Sequence, residues 1–310
     1  MADYFTSMVL TTLMGGMLRL LMLRSDYRQY PTYPHGYVSH LSLGFIAAAL
    51  GAVALPALLE EEFVAVTFLS LAAQQFRDIR NIERETLSRL DANELVPRGA
   101  QFIEGIARTF EARNYLVMAA TLALSALDLW VLGELSLLLR AGGLSLATLV
   151  LFFALRSVTE GRRIGHLAAI KEGKVNFQGP NVFVDDIHFM NLGLEEAKEE
   201  YLAKALGLVL EPKTIDASAT LANIGQRQAI VHICAKLLGI YKDVDTPEFT
   251  PLMRRDVKTG RLAILIIPAT RDVQALIDAV NKAPILEGSV ARPSRSVAGR
   301  ERDDYADRSD

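Results

Sequence analysis

The chain has 310 residues, 51% of them hydrophobic, and a formal net charge of −3. Its mean hydropathy of +0.22 points to a membrane, while a pI near 6.0 excludes the basic field that a nucleic-acid binder needs, so no nucleic-acid partner is expected. The single cysteine, Cys234, excludes an intramolecular disulfide and a cysteine-based zinc site, and reads as a buried small hydrophobe.

Apolar runs at 4–23, 41–59, 61–76, 115–132 and 143–157 are each about one bilayer thickness long as helices, which predicts five spans. No small-residue cleavage site follows the first, so it is expected to be retained. The third and fifth are the short ones, suited to a tilted or re-entrant course as well as to a full crossing. Arg19 lies near one end of the first run and is expected to snorkel to the headgroups. His35 and His40 flank a Pro- and Tyr-rich connector, where interfacial packing is expected and a pH-sensing role is open.

In the second run Gly44, Ala48 and Ala52 recur every four residues, widened by Ala47 and Gly51. This small-residue face suits intrachain helix packing, a subunit seam or a pore lining. Pro56 is expected to kink that helix.

The third run continues at 77–95 as an amphipathic helix, with Ile79, Ile82 and Leu90 on its apolar side, until Pro97 and Gly99 break it. A second helix follows, in which Phe102, Ile106 and Phe110 share one face and Glu104, Arg108 and Glu111 another. An exposed Glu104–Arg108 pair would contribute about 0.2–0.5 kcal/mol. Gly105 costs a helix about 1 kcal/mol relative to alanine, so a close backbone contact is expected there, holding Glu104 partly out of water beside an arginine. Asp128, one turn from the end of the fourth run, either faces water at the mouth of a pathway or hydrogen-bonds across helices.

Arginines set the expected topology. Arg24 and Arg28, the arginines of 77–113, and Arg156, Arg162 and Arg163 fall on one side if five helices cross, with the amino terminus outside and the carboxyl-terminal part cytoplasmic. The predicted fold is therefore an α-helical integral membrane domain over 1–164, a cytoplasmic α/β domain over 165–291 and a disordered charged tail over 292–310. Within 165–291, strands are expected at 181–187, 261–268 and 283–290, and helices at 193–206, 219–239 and 271–282.

Signatures for phosphate loops, serine nucleophiles and zinc helices are missing, and no nucleophile and base pair lies within the spans, so neither an enzyme nor a cofactor is expected. Asp185, Asp186 and His188 could share a cation, although a strand-end turn accounts for them better.

The segment "FIEGIA", 102–107, resembles the signature of the YIEGIA family of membrane proteins from spore-forming Firmicutes, with Phe102 in place of the usual tyrosine. The layout of spans followed by a cytoplasmic domain is similar to that family across most of the chain. The resemblance implies a sporulation-linked inner-membrane protein, an oligomeric ion channel that helps spores respond to germinants and works with a small soluble capping subunit. On that reading Phe102, Ile103, Glu104, Gly105, Ile106, Ala107 and Arg108 are candidates for gating, and Gly44, Ala48, Ala52 and Asp128 for a pore or for helix packing. Expected partners are the lipid bilayer, further copies of the chain and the capping protein. The alternative is a membrane-anchored scaffold that conducts nothing.

Overall fold

A computed structural model describes residues 4–29, 33, 36–159, 163–240, 242–243, 246–247 and 250–296. The expectation for His35 and that for 297–310 lie outside these residues. The chain divides into two compact units, one of Met1–Leu87 with Ile106–Glu160 and the other of Ser88–Gly105 with Gly161–Asp310. The division thus falls within two helices, and not at 164 alone.

The first unit is built from long helices: α1 (Phe5–Gln29), α2 (Gly36–Leu59), α3 (Phe63–Asp91), α4 (Ala100–Leu127) and α5 (Leu137–Thr159), with a wide π turn, Asp128–Leu132, closing α4. Four described segments are long and apolar enough to cross a membrane: Phe5–Tyr27, Gly36–Leu59, Ala100–Leu132 and Leu137–Ser157. The expected run at 61–76, in α3, is not among them. Helix α3 is apolar only as far as Phe76, and Arg77, Asp78 and Arg80 then interrupt the run without breaking the helix.

Contacts within the bundle give the helix directions. Gly15 of α1 lies against Ala48 of α2 and Thr121 of α4, while Arg19 lies against Gly44 of α2 and Asp26 pairs with Arg113 of α4, so α1 runs opposite to both. The Tyr115 hydroxyl of α4 donates to the Ala73 carbonyl at 3.2 Å and Arg80 pairs with Glu111 at 3.1 Å, so α3 is antiparallel to α4. Helix α5 returns from the π turn and packs Leu151, Phe152 and Leu155 against the core that contains Leu18, Ala48, Phe76 and Val117. Alternation of direction therefore includes α3, whatever its hydropathy.

The second unit contains α6 (Ile164–Leu167), β1 (Ala168–Gly173), β2 (Val175–Gln178), β3 (Asn181–Val184), β4 (Ile187–Asn191), α7 (Glu195–Lys204), β5 (Leu206–Pro212), α8 (Ile215–Ala222), α9 (Ile224–Leu238), β6 (Lys242–Asp243), β7 (Thr246–Pro247), β8 (Leu252–Arg255), β9 (Leu262–Ile266) and α10 (Val273–Lys282). Its central sheet, ordered β1-β5-β9-β8, is antiparallel throughout, with Leu208 opposite Ile264 and Met253 also opposite Ile264. Alternation along β5 and β9 assigns side chains to two cores. Leu206, Leu208, Leu210, Leu262 and Ile264 meet α8, α9 and α10 on one face. Val209, Ala263 and Leu265 meet β3, β4 and Tyr201 of α7 on the other. Burial on both faces is why "LAILI" reads as an unbroken apolar run, each large side chain contributing about 1.5–3 kcal/mol.

Three expectations for this unit are corrected. The single strand at 181–187 is two, joined by a turn at Asp185, whose φ is 52°. The helix at 219–239 is split because the Asn223 side chain accepts from the Gln226 amide and caps a new helix. Residues 283–290 form no strand; they carry a bridge at Pro284 and a short 3-10 turn, Glu287–Ser289. Within the expected tail, Pro293–Arg295 form a turn in which Ser294 donates backbone and side-chain bonds to Asp216 at 2.9 and 2.7 Å.

Candidate functional site

Charge is gathered inside the helix bundle. Arg19 and Asp26 are seven residues apart, two turns of α1, and so share a face. The Arg19 guanidinium donates from Nη1 to Asp26 Oδ2 at 2.8 Å, and Arg113 of α4 donates from Nε to Asp26 Oδ1 at 2.9 Å. All three are buried, and Arg19, at 0% exposure, leaves Nε and Nη2 without a hydrogen-bond partner. Arg19 therefore does not snorkel. Its carbon also sits 5.9 Å over the Phe110 ring, a cation–π contact that compensates part of the lost hydration.

A second row of polar groups lies beside that ring. His40 stacks on Phe110 with centroids 3.8 Å apart. Its Nδ1 is 2.9 Å from the Tyr27 hydroxyl and its Nε2 is 3.4 Å from Glu83 Oε1, while the Tyr33 hydroxyl donates to Glu83 Oε2 at 3.0 Å. Burial and the Glu83 carboxylate push the Tyr33 hydroxyl up to about 12, which keeps it a donor. Tyr27 and His40 thus form one hydrogen-bonded pair and Tyr33 and Glu83 another, brought side by side by three helices and a connector. Of these cluster members, only Arg19 and His40 stand out in the sequence. The Arg19–Asp26 spacing was the legible signal for a third.

The signature segment starts α4, and its first residues are organised within the second unit. Asp91, the last residue of α3, accepts from the amides of Arg98 at 2.6 Å and Gly99 at 3.1 Å. Gly99 adopts φ of +87°, and a Cβ there would strike Gln228. The Gln228 side chain accepts from the Phe102 amide at 3.2 Å, satisfying one of the free N–H groups of the helix start. Phe102 and Ile103 are buried, and Phe102 meets His232 edge-on at 6.3 Å. His232 Nδ1 lies 2.9 Å from the Val96 carbonyl, which can only accept, so that nitrogen carries the hydrogen. Phe102 is thus an enclosed anchor with no hydroxyl to satisfy.

The remaining signature residues divide by exposure. Glu104 and Gly105 are half-buried, Ile106 and Ala107 are buried, and Arg108 is exposed. A Cβ on Gly105 would meet only Leu286 Cδ1, at 3.8 Å, an ordinary contact. Among the described residues no backbone comes close to Gly105 in the way that was expected there. Such an approach occurs at Gly51, where a Cβ would lie 2.2 Å from the Met118 carbonyl oxygen, and at Gly225, 2.8 Å from that of Gln101.

The candidate pore residues are occupied internally. Gly44, Ala47, Ala48, Gly51 and Ala52 are all buried in α2. Gly44 and Ala48 face α1, Gly51 faces α4, and Ser125 donates to the Ala52 carbonyl at 3.4 Å. Asp128 is 0% exposed and held by Arg140, whose Nε donates at 3.0 Å and whose Nη2 grips the second oxygen. It does not face water. In the 185–188 stretch, Asp185 accepts from the Lys174 amide at 2.7 Å, Asp186 pairs with Arg261 and His188 meets Asn191 at 3.2 Å. Their separate partners describe a turn, and among the described residues no group of three or more His, Cys, Asp or Glu side chains is placed to hold a metal.

Comparison with known proteins covers nearly the whole chain. The family described as YIEGIA protein matches residues 7–296. A relative from Bacillus subtilis (strain 168), named Uncharacterized protein YphB, is 41% identical over 306 residues, covering 97% of this chain and 99% of its own length. No solved structure matches.

Proposed function

The chain belongs to the YIEGIA family, and from that premise we propose that it is the membrane subunit of an oligomeric ion channel acting in spore germination. Its second unit is the part through which a small soluble capping partner regulates it. The observation that carries the reading is the charge inside an apolar bundle: Arg19, Asp26 and Arg113 in one group, His40 and Glu83 in another. Removing such groups from water costs several kcal/mol each, an expense that a plain anchor does not require. Sporulation, germination and the capping partner come from the family resemblance alone.

The proposed arrangement has five crossings, with α3 as the short one, the amino terminus outside and the second unit in the cytoplasm. The alternating helix directions and the arginine distribution both support it. A localisation in the cell or spore inner membrane follows.

Purified protein in potassium-loaded liposomes tests the proposal. A channel releases potassium faster than empty liposomes, and Arg113→Gln changes that rate at equal protein density. The second reading, a non-conducting scaffold, is favoured by one observation: Gly44, Ala48, Ala52 and Asp128 are all taken up in packing within the chain. Release no faster than from empty liposomes would support it.

A further inference from the structure

Helix α3 has two unlike faces. Phe76, Glu83 and Leu87 are buried against the bundle, whereas Thr67, Ser70, Gln74, Asp78, Asn81 and Glu85 are all exposed. At about 100° per residue those six fall within a sector roughly 80° wide, opposite the buried three. Val64, Leu71 and Ile82, also exposed, flank that sector on one side, and Arg77 and Arg84 on the other. The outward face of α3 is therefore a polar stripe that begins beside the exposed Glu61 and Glu62 of the α2–α3 turn and runs on past Phe76.

The stripe differs from the other outward surfaces of the bundle. Val9, Leu13 and Met17 of α1 and Leu146, Val150 and Phe153 of α5 are exposed and apolar, as lipid requires. On α3 the Thr67 and Ser70 hydroxyls donate to the Phe63 and Val66 carbonyls at 2.9 and 3.0 Å, which lets a hydroxyl face lipid at little cost. Gln74 has no such outlet. Among the described residues nothing hydrogen-bonds to its carboxamide, and it lies about 16 Å along α3 from Phe63, inside a hydrocarbon layer roughly 30 Å thick if α3 crosses. Amide donors and an acceptor left bare in hydrocarbon are costly, so this face needs water or another polar surface. The interior of one copy offers no path, because the small residues of α2 are taken up in packing.

We propose that α3 lines the pore, with Thr67, Ser70 and Gln74 of several copies of this chain facing a shared column of water through which cations pass. This rests on the channel reading and names its conducting surface. A dry seam between copies would also cover Gln74, but it requires no polar line continuing in both directions into water. Acidic side chains stand at both ends of the stripe, Glu61 and Glu62 at one and Asp78 and Glu85 at the other, an arrangement that favours cations over anions. Arg77 and Arg84 lie off it, on its flank.

Cysteine substitution reads this face directly, because Cys234 is the sole cysteine and is buried, and only a thiol that reaches water ionises and reacts. Full-length Ser70→Cys and Gln74→Cys, together with Leu146→Cys on the apolar face of α5 and Glu61→Cys in the turn, are placed in potassium-loaded liposomes and treated with charged thiosulfonate reagents. We expect both α3 variants to be modified as readily as Glu61→Cys, while Leu146→Cys stays unmodified. The cationic reagent should remove most of the potassium release of Ser70→Cys, and the anionic reagent should leave most of it. Wild-type protein that releases no potassium strikes the channel reading itself, and the pore with it. Release by wild type, with Ser70→Cys and Gln74→Cys as unreactive as Leu146→Cys, leaves the channel standing and overturns α3 as its lining, making the stripe a dry seam. Equal loss under both reagents overturns the assignment to cations.

Discussion

A Cβ placed on Gly51 would lie 2.2 Å from a backbone oxygen of α4, whereas one on Gly105 would meet only the end of a leucine at 3.8 Å. Gly51→Ala should therefore force the two helices apart and cost about 1–3 kcal/mol, the usual price of overpacking. Gly105→Ala should leave stability unchanged or raise it by up to about 1 kcal/mol, since alanine is the better helix former. Thermal unfolding in detergent compares the two, and a destabilised Gly105→Ala would mean that a neighbour outside this chain presses on the signature. At Asp128 the asymmetry of burial decides the outcome. Arg140→Ala strands a carboxylate with 0% exposure and should cost about 3–5 kcal/mol, while Asp128→Asn leaves an arginine already 15% exposed and able to reach water, so it should cost less. Equal losses in the two variants would argue against this pairing.

At the scale of elements, the α3–α4 connector is held to α9 by His232. Burial, more than any charge, holds the His232 imidazole below its ordinary value of 6.5, so the folded form keeps it neutral. The sign then follows: above 6.5 both folded and unfolded states are neutral and the contribution is complete, and as pH falls the unfolded state binds the proton first. Stability should decline between 6.5 and the lower folded value. His232→Asn, which keeps a donor for Val96 but cannot titrate, should flatten that slope in thermal midpoints measured from pH 7.5 to about 5. An unchanged slope would assign the acid sensitivity to another group. The neighbouring Cys234 is fully buried, with its thiol pushed up to about 12, so it offers no thiolate to labelling reagents.

That inert thiol allows a test of the whole molecule. Five crossings place the turn at Glu61 and the carboxyl terminus on opposite sides of the membrane, and four crossings without α3 place them on the same side. We expect Glu61→Cys to react with a membrane-impermeant maleimide added outside intact cells, and a reporter fused after Asp310 to be active only in the cytoplasm. A protected Glu61→Cys beside a cytoplasmic reporter would remove α3 from the crossing helices.

How much of this was legible in advance depends on what each feature rests on. Long apolar runs specify helices because every residue must be covered or face lipid, and the helix break near Pro97 and Gly99 follows from backbone chemistry. The string "FIEGIA" points to the family together with the layout of apolar runs and a following domain. The unbroken run "LAILI" is legible as a strand between Gly260 and Pro268, whereas β5 is hidden at the end of a helical stretch and Asn223 conceals a cap inside an apparent single helix. Hydropathy reports whether a side chain is buried and says nothing of its partner. Partners depend on the rotation and register of whole helices, which brings Asp26 to Arg113 across 87 residues and His40 to Glu83 across the α2–α3 turn. For the same reason the small face of α2 could be read as seam, pore or packing, and only the tertiary structure, by seating α1 and α4 against it, decided for packing.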